Sequence, residues 1–169
     1  VPGLSPRARN NVWVADLNSV SSQPLDFRQL WINNVKAVRA KDANGAQMNR
    51  ILSWNKKEQT CWIPTPKIPG FAAIKGAEFF IHQWWAIAIL RINKMDIQGD
   101  STKLYFEPPE SRIQSEHPWP APWKSKETGN SAFFLSNALP FLNEPGEWWL
   151  DKQKKKLYIK KEKKHLKNI

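Results

Sequence analysis

Apolar positions along this chain come in short runs with a spacing of two, separated by polar or proline-containing breaks, and this is the period of β-strands. Val12-Trp13-Val14-Ala15-Asp16-Leu17 reads as a first short strand. Gln29-Leu30-Trp31-Ile32 and Val35-Lys36-Ala37-Val38-Arg39-Ala40 flank Asn33-Asn34. Asparagine tolerates the left-handed backbone of a tight turn, so the two runs predict a hairpin, with Val35, Ala37 and Arg39 on one face and Lys36, Val38 and Ala40 on the other. Trp31 is expected in the core. Lys41 to Gly45 reads as a turn, and Arg50–Trp54 and Gln59–Ile63 predict strands around the polar reversal Asn55-Lys56-Lys57-Glu58. Pro64, Pro66, Pro69 and Gly70 then form a loop that no central strand could contain.

The densest apolar stretch is EFFIHQWWAIAILRINKMD, residues 78–96. Its aromatic and β-branched content favours one strand over a helix, with Trp85, Ile87 and Ile89 on one face and Ala86, Ala88, Leu90 and Ile92 on the other. A strand apolar on both faces belongs in the middle of a fold. Gln98-Gly99-Asp100 is a turn and Lys103–Phe106 a further strand. Residues 107–130, broken by proline and glycine, predict a long ordered loop. SAFFLSNALPFL, residues 131–142, is the best helix candidate: Asn130 and Ser131 can cap it, and Pro140 limits it to about two turns. Glu147–Leu150 and Lys156–Ile159 predict a closing hairpin. The fold class expected is all-β, mainly antiparallel, with seven to nine short strands, long loops and one short helix, as a small barrel or sandwich.

Composition sharpens this. The 169 residues suit one domain with a real core, with a compact body over about 9–159 and a lysine-rich tail over 160–169. Ten tryptophans are far above ordinary usage, and thirteen prolines argue against long helices. The net charge of +11 resembles a nucleic-acid signature, but Lys152 to Lys167 alone carries nine lysines and one glutamate. The body is therefore nearly balanced, and the excess reads as a solvated tail. With no RNP-like or zinc-knuckle pattern, a single-stranded nucleic-acid-binding β-barrel is the least favoured class. Cys61 is the sole cysteine, which excludes an intrachain disulfide, and it is expected as a packed thiol. VPGLSPRARNNV has no apolar signal core and no initiator methionine, so the chain is expected to be part of something longer. WWAIAIL, residues 84–90, is too short to span a membrane.

Candidate chemistry is sparse. His82, His117 and His165 lack ligand spacing, so no metal and no cofactor is expected; His82 reads as a hydrogen-bonded core histidine. Glycoside hydrolysis needs two closely placed carboxyl groups, and Glu78, Asp96, Glu107, Glu110, Glu116 and Glu147 are candidates. Some pair among fifteen acids is nearly inevitable, and Glu147, in a PGEWW turn, reads as a residue that satisfies backbone groups. No nucleophile elbow or phosphate loop is present. The stretch EHPWPAPW, residues 116–123, is a rigid proline-tryptophan segment. In a polyproline-like conformation Trp119 and Trp123 stand about 12 Å apart. They could stack on sugar rings, or fold back as a lid over the sheet edge; the lid, with one ring facing a cleft, is the reading favoured here. Within Trp84-Trp85 and within Trp148-Trp149, alternation on a strand would bury one ring and leave the other partly exposed.

Six stretches carry a resemblance: VWVADL, LWINNVKAVRAKD, MNRILSW, FIHQWWAIAILRI, SRIQSEHPWPAPW and NEPGEWWLDKQKKKLYI. From about Arg9 to Ile159 the chain resembles the domain inserted into bacterial right-handed parallel β-helix proteins of the glycoside hydrolase family 141 type. Asn34 stands where that family commonly has glycine, and Trp149 where it commonly has tyrosine. The resemblance implies a carbohydrate-active parent, secreted or periplasmic, whose catalytic carboxylates lie on β-helix coils outside this sequence. The implied role is a non-catalytic insertion domain that shapes the carbohydrate cleft. The candidate sugar contacts are Trp119, Trp123, Glu116, His117 and Arg112; Trp84 and Trp149 are candidates for docking on the parent β-helix. The implied partners are that β-helix and a polysaccharide. An autonomous carbohydrate-binding module using Trp119 and Trp123 is the alternative.

Overall fold

The computed structural model describes residues 4, 11–43, 47–116 and 121–161. The chain divides into two compact units, one formed by residues 1–41 with 137–169 and the other by residues 42–136. The second unit thus interrupts the first in sequence.

The first unit is a five-stranded sheet in the order β1-β12-β11-β3-β2. These strands are β1 (Val12–Asp16), β2 (Leu30–Ile32), β3 (Val35–Arg39), β11 (Glu147–Asp151) and β12 (Lys156–Lys160). Both expected hairpins form. Ile32 pairs with Val35, and Asn33 and Asn34 take φ of 48° and 63°. Positive φ at both turn positions matches the right-handed twist of the flanking strands. In the closing hairpin Trp149 lies opposite Tyr158, and the Asp151 carboxylate accepts the backbone N–H groups of Gln153 and Lys154. The β3–β11 pairing is parallel, with Glu147 opposite Val38. Trp148, Leu150 and Leu157 make the core, with Leu17, Leu25, Phe27, Leu30, Ala37 and Ile159 packed on it. Trp148 stacks on Phe27 at 5.3 Å. Trp31 is not in that core: it is 53% exposed. On the edge strand β2 its neighbours Leu30 and Ile32 take the inner face, which sends Trp31 outward beside Lys36.

The second unit is a seven-stranded antiparallel sheet, β4-β10-β7-β8-β9-β6-β5. Its strands are β4 (Asn49–Arg50), β5 (Ser53–Asn55), β6 (Thr60–Pro64), β7 (Glu78–His82), β8 (Ile87–Gln98), β9 (Ser101–Phe106) and β10 (Ala132–Ser136). Cys61, Ile63, Phe79, Ile81, Leu90, Leu104, Phe133 and Leu135 are buried in it. Phe79 lies 5.4 Å from Phe106 and 5.2 Å from Phe133. Cys61 is the packed thiol expected, and burial pushes its ionisation far up.

Three expectations are corrected here. Residues 78–96 are a hairpin, not one strand. His82 pairs with Ile87, and the Gln83 N–H donates to the Ala86 carbonyl across the reversal. Two strands share the apolar content, and β8 sits at the centre of the sheet with Leu90 and Ile92 buried on one face and Ile87, Arg91 and Asn93 exposed on the other. Residues 131–142 are not a helix but β10 followed by one 3-10 turn, Leu139–Phe141. Pairing with β4 and β7, which seats Phe133 and Leu135 in the core, overrides the local capping signal. The helix lies instead within the expected loop: α1 (Glu110–Glu116) starts after Pro108-Pro109, where proline costs no helical hydrogen bond. It buries Ser111 and Ser115 and exposes Ile113, the reverse of an amphipathic pattern. The Ser111 hydroxyl donates to the Gln59 side-chain oxygen at 2.8 Å.

Candidate carbohydrate-contact site

Trp123 closes the proline-rich stretch and is held from three sides. Its indole N–H donates to the Gly129 carbonyl at 2.9 Å. Its backbone N–H donates to the Ser131 hydroxyl, and its carbonyl accepts the Ser131 N–H, both at 3.0 Å. Arg50 and Asn130 tie the same loop to the sheet: Arg50 donates to the Asn130 carbonyl, and the Asn130 amide donates to the Ile51 carbonyl, each at 2.8 Å. The half-buried Trp123 ring is therefore fixed in orientation. Trp84 lies against it, with ring centroids 5.2 Å apart and planes tilted by 31°.

Trp84 and its neighbour Trp85 are 60% and 65% exposed, and Ile87 beside them is also exposed. The expected split into one buried and one exposed ring fails for this pair because both occupy the β7–β8 reversal, where strand alternation does not apply. It holds for Trp148 and Trp149, which lie on β11: Trp148 is fully buried, and Trp149 is half-buried against Tyr158 at 5.2 Å.

The other candidates are dispersed. Arg112 and Glu116 are both exposed on α1, 3.9 Å apart. His117 and Trp119 lie outside the described residues. Trp123 is thus brought together with Trp84, which sequence reading assigned to a different role. The two are 39 positions apart, and only the pairing of strands between them makes them neighbours.

Most candidate acids are engaged. Lys94 pairs with Asp96 and holds its carboxyl below the usual range. Glu110 takes two hydrogen bonds from Arg91, and Glu78 is buried on β7. Glu147 behaves differently. Its Oε2 accepts the N–H groups of Asn143 and Glu144 at 2.9 and 3.0 Å, the turn role expected. Burial nonetheless pushes its pKa up to about 7, outweighing the pull of those bonds and of one from the Lys41 backbone. A raised carboxyl can serve as a general acid, but at 2% exposure this one presents no face to a substrate. His82 is half-buried, with its ring 6.3 Å from Phe134. Among the described residues no group of three or more His, Cys, Asp or Glu side chains is placed to hold a metal ion. No helix among them is long and apolar enough to cross a membrane.

The GH141 insertion domain family matches residues 10–161, both units together. The chain belongs to that family. A solved structure titled "Glycoside hydrolase" superposes on this GH141 insertion domain with a TM-score of 0.85 and 41% sequence identity. The match covers 92% of this chain but 27% of that one, so the GH141 insertion domain spans about a quarter of the longer protein it resembles. No curated protein matches the sequence.

Proposed function

We propose that this insertion domain is non-catalytic and shapes the carbohydrate cleft of a polysaccharide-active parallel β-helix glycoside hydrolase, working outside the cytoplasm. The supporting observation is where the chain passes into and out of the fold. β1 and β12 are neighbours, and the Lys161 N–H donates to the Asn11 carbonyl at 2.8 Å. A host chain can therefore leave its own fold, build this one and resume next to the point of departure, which is the geometry that makes insertion tolerable. The acids add support: Asp96, Glu110 and Glu116 each lie beside a cation, and the one with a raised pKa is sealed in a turn.

The test is turnover. Purified chain incubated with soluble polysaccharides is expected to release no reducing ends above the blank. Turnover that disappears on replacing one of its own acids, Glu116→Gln first, would refute a non-catalytic role. In the longer hydrolase, replacing residues 12–160 by a short Gly-Ser link is expected to leave the remainder folded and to raise KM for polymeric substrate more than it lowers kcat.

A further inference from the structure

The β7–β8 reversal presents more apolar surface than folding requires. Trp84, Trp85 and Ile87 are each more than half exposed, at the tip of the hairpin that follows the well-covered strand β7. Exposed indole surface of this extent marks a contact site more often than an accident of folding.

We infer that Trp84, braced by Trp123, is a stacking subsite for one pyranose ring of a carbohydrate chain. The inference rests on the cleft-shaping reading and assigns it a position. Pyranose rings carry an apolar C–H face and a hydroxyl rim, and a flat ring with one open side accepts that face. Trp123 supplies what a turn residue ordinarily lacks, a fixed wall. With its N–H spent on Gly129 and its backbone spent on Ser131, it can neither swing away nor compete for the ligand. Trp84 lies against that wall at 5.2 Å and keeps 60% of its surface exposed. Ordering the ring in advance removes entropy that the ligand would otherwise have to offset.

One observation favours a glycan over the parent protein as occupant. The segment directly after Trp123 is Lys124-Ser125-Lys126-Glu127-Thr128, exposed at four of its five positions and able to offer hydrogen bonds to hydroxyls. Dry protein interfaces are depleted of lysine and glutamate at their centre.

Saturation-transfer NMR on the whole chain tests this, because it reads millimolar affinities expected of one subsite apart from its cleft. The probes are cello-, xylo-, manno- and galacturono-oligosaccharides. Transfer to ring protons of at least one probe is expected, reduced at least tenfold by Trp84→Ala and retained by Trp31→Ala, an exposed tryptophan of the first unit. No transfer from the unsubstituted protein to any probe overturns the inference. So does equal transfer from Trp84→Ala, or equal loss from both variants. Assaying the same samples for new reducing ends keeps the two readings apart. Turnover would sink the non-catalytic role, while absent transfer without turnover sinks only the subsite.

Discussion

Two Trp-Trp dipeptides in this chain meet opposite ends. Trp148-Trp149 lies on β11, between β12 and β3, and alternation buries the first ring completely and half-covers the second. Trp84-Trp85 lies on a reversal, and both rings face solvent. The local sequences, GluTrpTrpLeu and GlnTrpTrpAla, differ little in β propensity. The strands on either side decide the outcome. β7 pairs with β8 in a register that leaves four residues for the turn, Gln83 to Ala86, and the dipeptide falls there. The same residues therefore serve stability in one unit and are left available for contact in the other.

The sharpest way to break that contrast is to remove the buried ring. Trp148→Ala deletes the centre of the first unit's core, its stacking on Phe27 and the guanidinium of Arg39 poised 5.6 Å from its ring. Aromatic truncations at such sites cost about 3–5 kcal/mol. Chemical denaturation followed by far-UV circular dichroism is expected to show that loss. A change below about 1 kcal/mol would mean that Trp148 is not the centre described.

The residue before that pair gives the next largest effect. Glu147 has a folded pKa near 7 against an ordinary 4.5, so the folded state holds its proton where the unfolded state has released it. Its contribution to stability is full below about pH 4.5 and is lost as pH rises through 7. The swing is at most ~3 kcal/mol. Glu147→Gln keeps an acceptor for the Asn143 and Glu144 N–H groups and cannot ionise. Unfolding measured from pH 4.5 to 7.5 is expected to fall more steeply for the unsubstituted protein than for Glu147→Gln. Parallel curves would mean that Glu147 titrates normally.

Legibility in the sequence follows the same divide between local and tertiary causes. Asn33-Asn34 could be read as a hairpin because the turn chemistry resides in those two residues. The closing hairpin was readable for the same reason, its reversal being fixed by one nearby aspartate. The helix at 110–116 was not, because it buries serines and exposes its isoleucine, and its Ser111 hydroxyl is satisfied by Gln59, 52 positions away. The strand at 132–136 was hidden by a capping signal that pairing with β4 and β7 overrules. No local pattern announces that β3 and β11 run parallel, since the whole second unit lies between them in sequence. Within the candidate site Trp123 was legible from its proline-rich setting. Its partner was visible as a residue but not as a partner, because only folded strands place Trp84 against it.

The smallest stability effect expected closes the comparison from the other side. Trp84→Ala removes a ring that is 60% exposed and lies against Trp123. Trp123 keeps its hydrogen bonds to Gly129 and Ser131 without it, so no buried polar group is orphaned and no closed cavity forms. The aromatic contact itself is worth about 0.5–1.5 kcal/mol. Unfolding free energy is therefore expected to fall by no more than ~1.5 kcal/mol, under the same conditions in which Trp148→Ala loses several. A larger loss would mean that Trp84 holds the hairpin tip in place. The two dipeptides would then differ in degree of burial and not in kind.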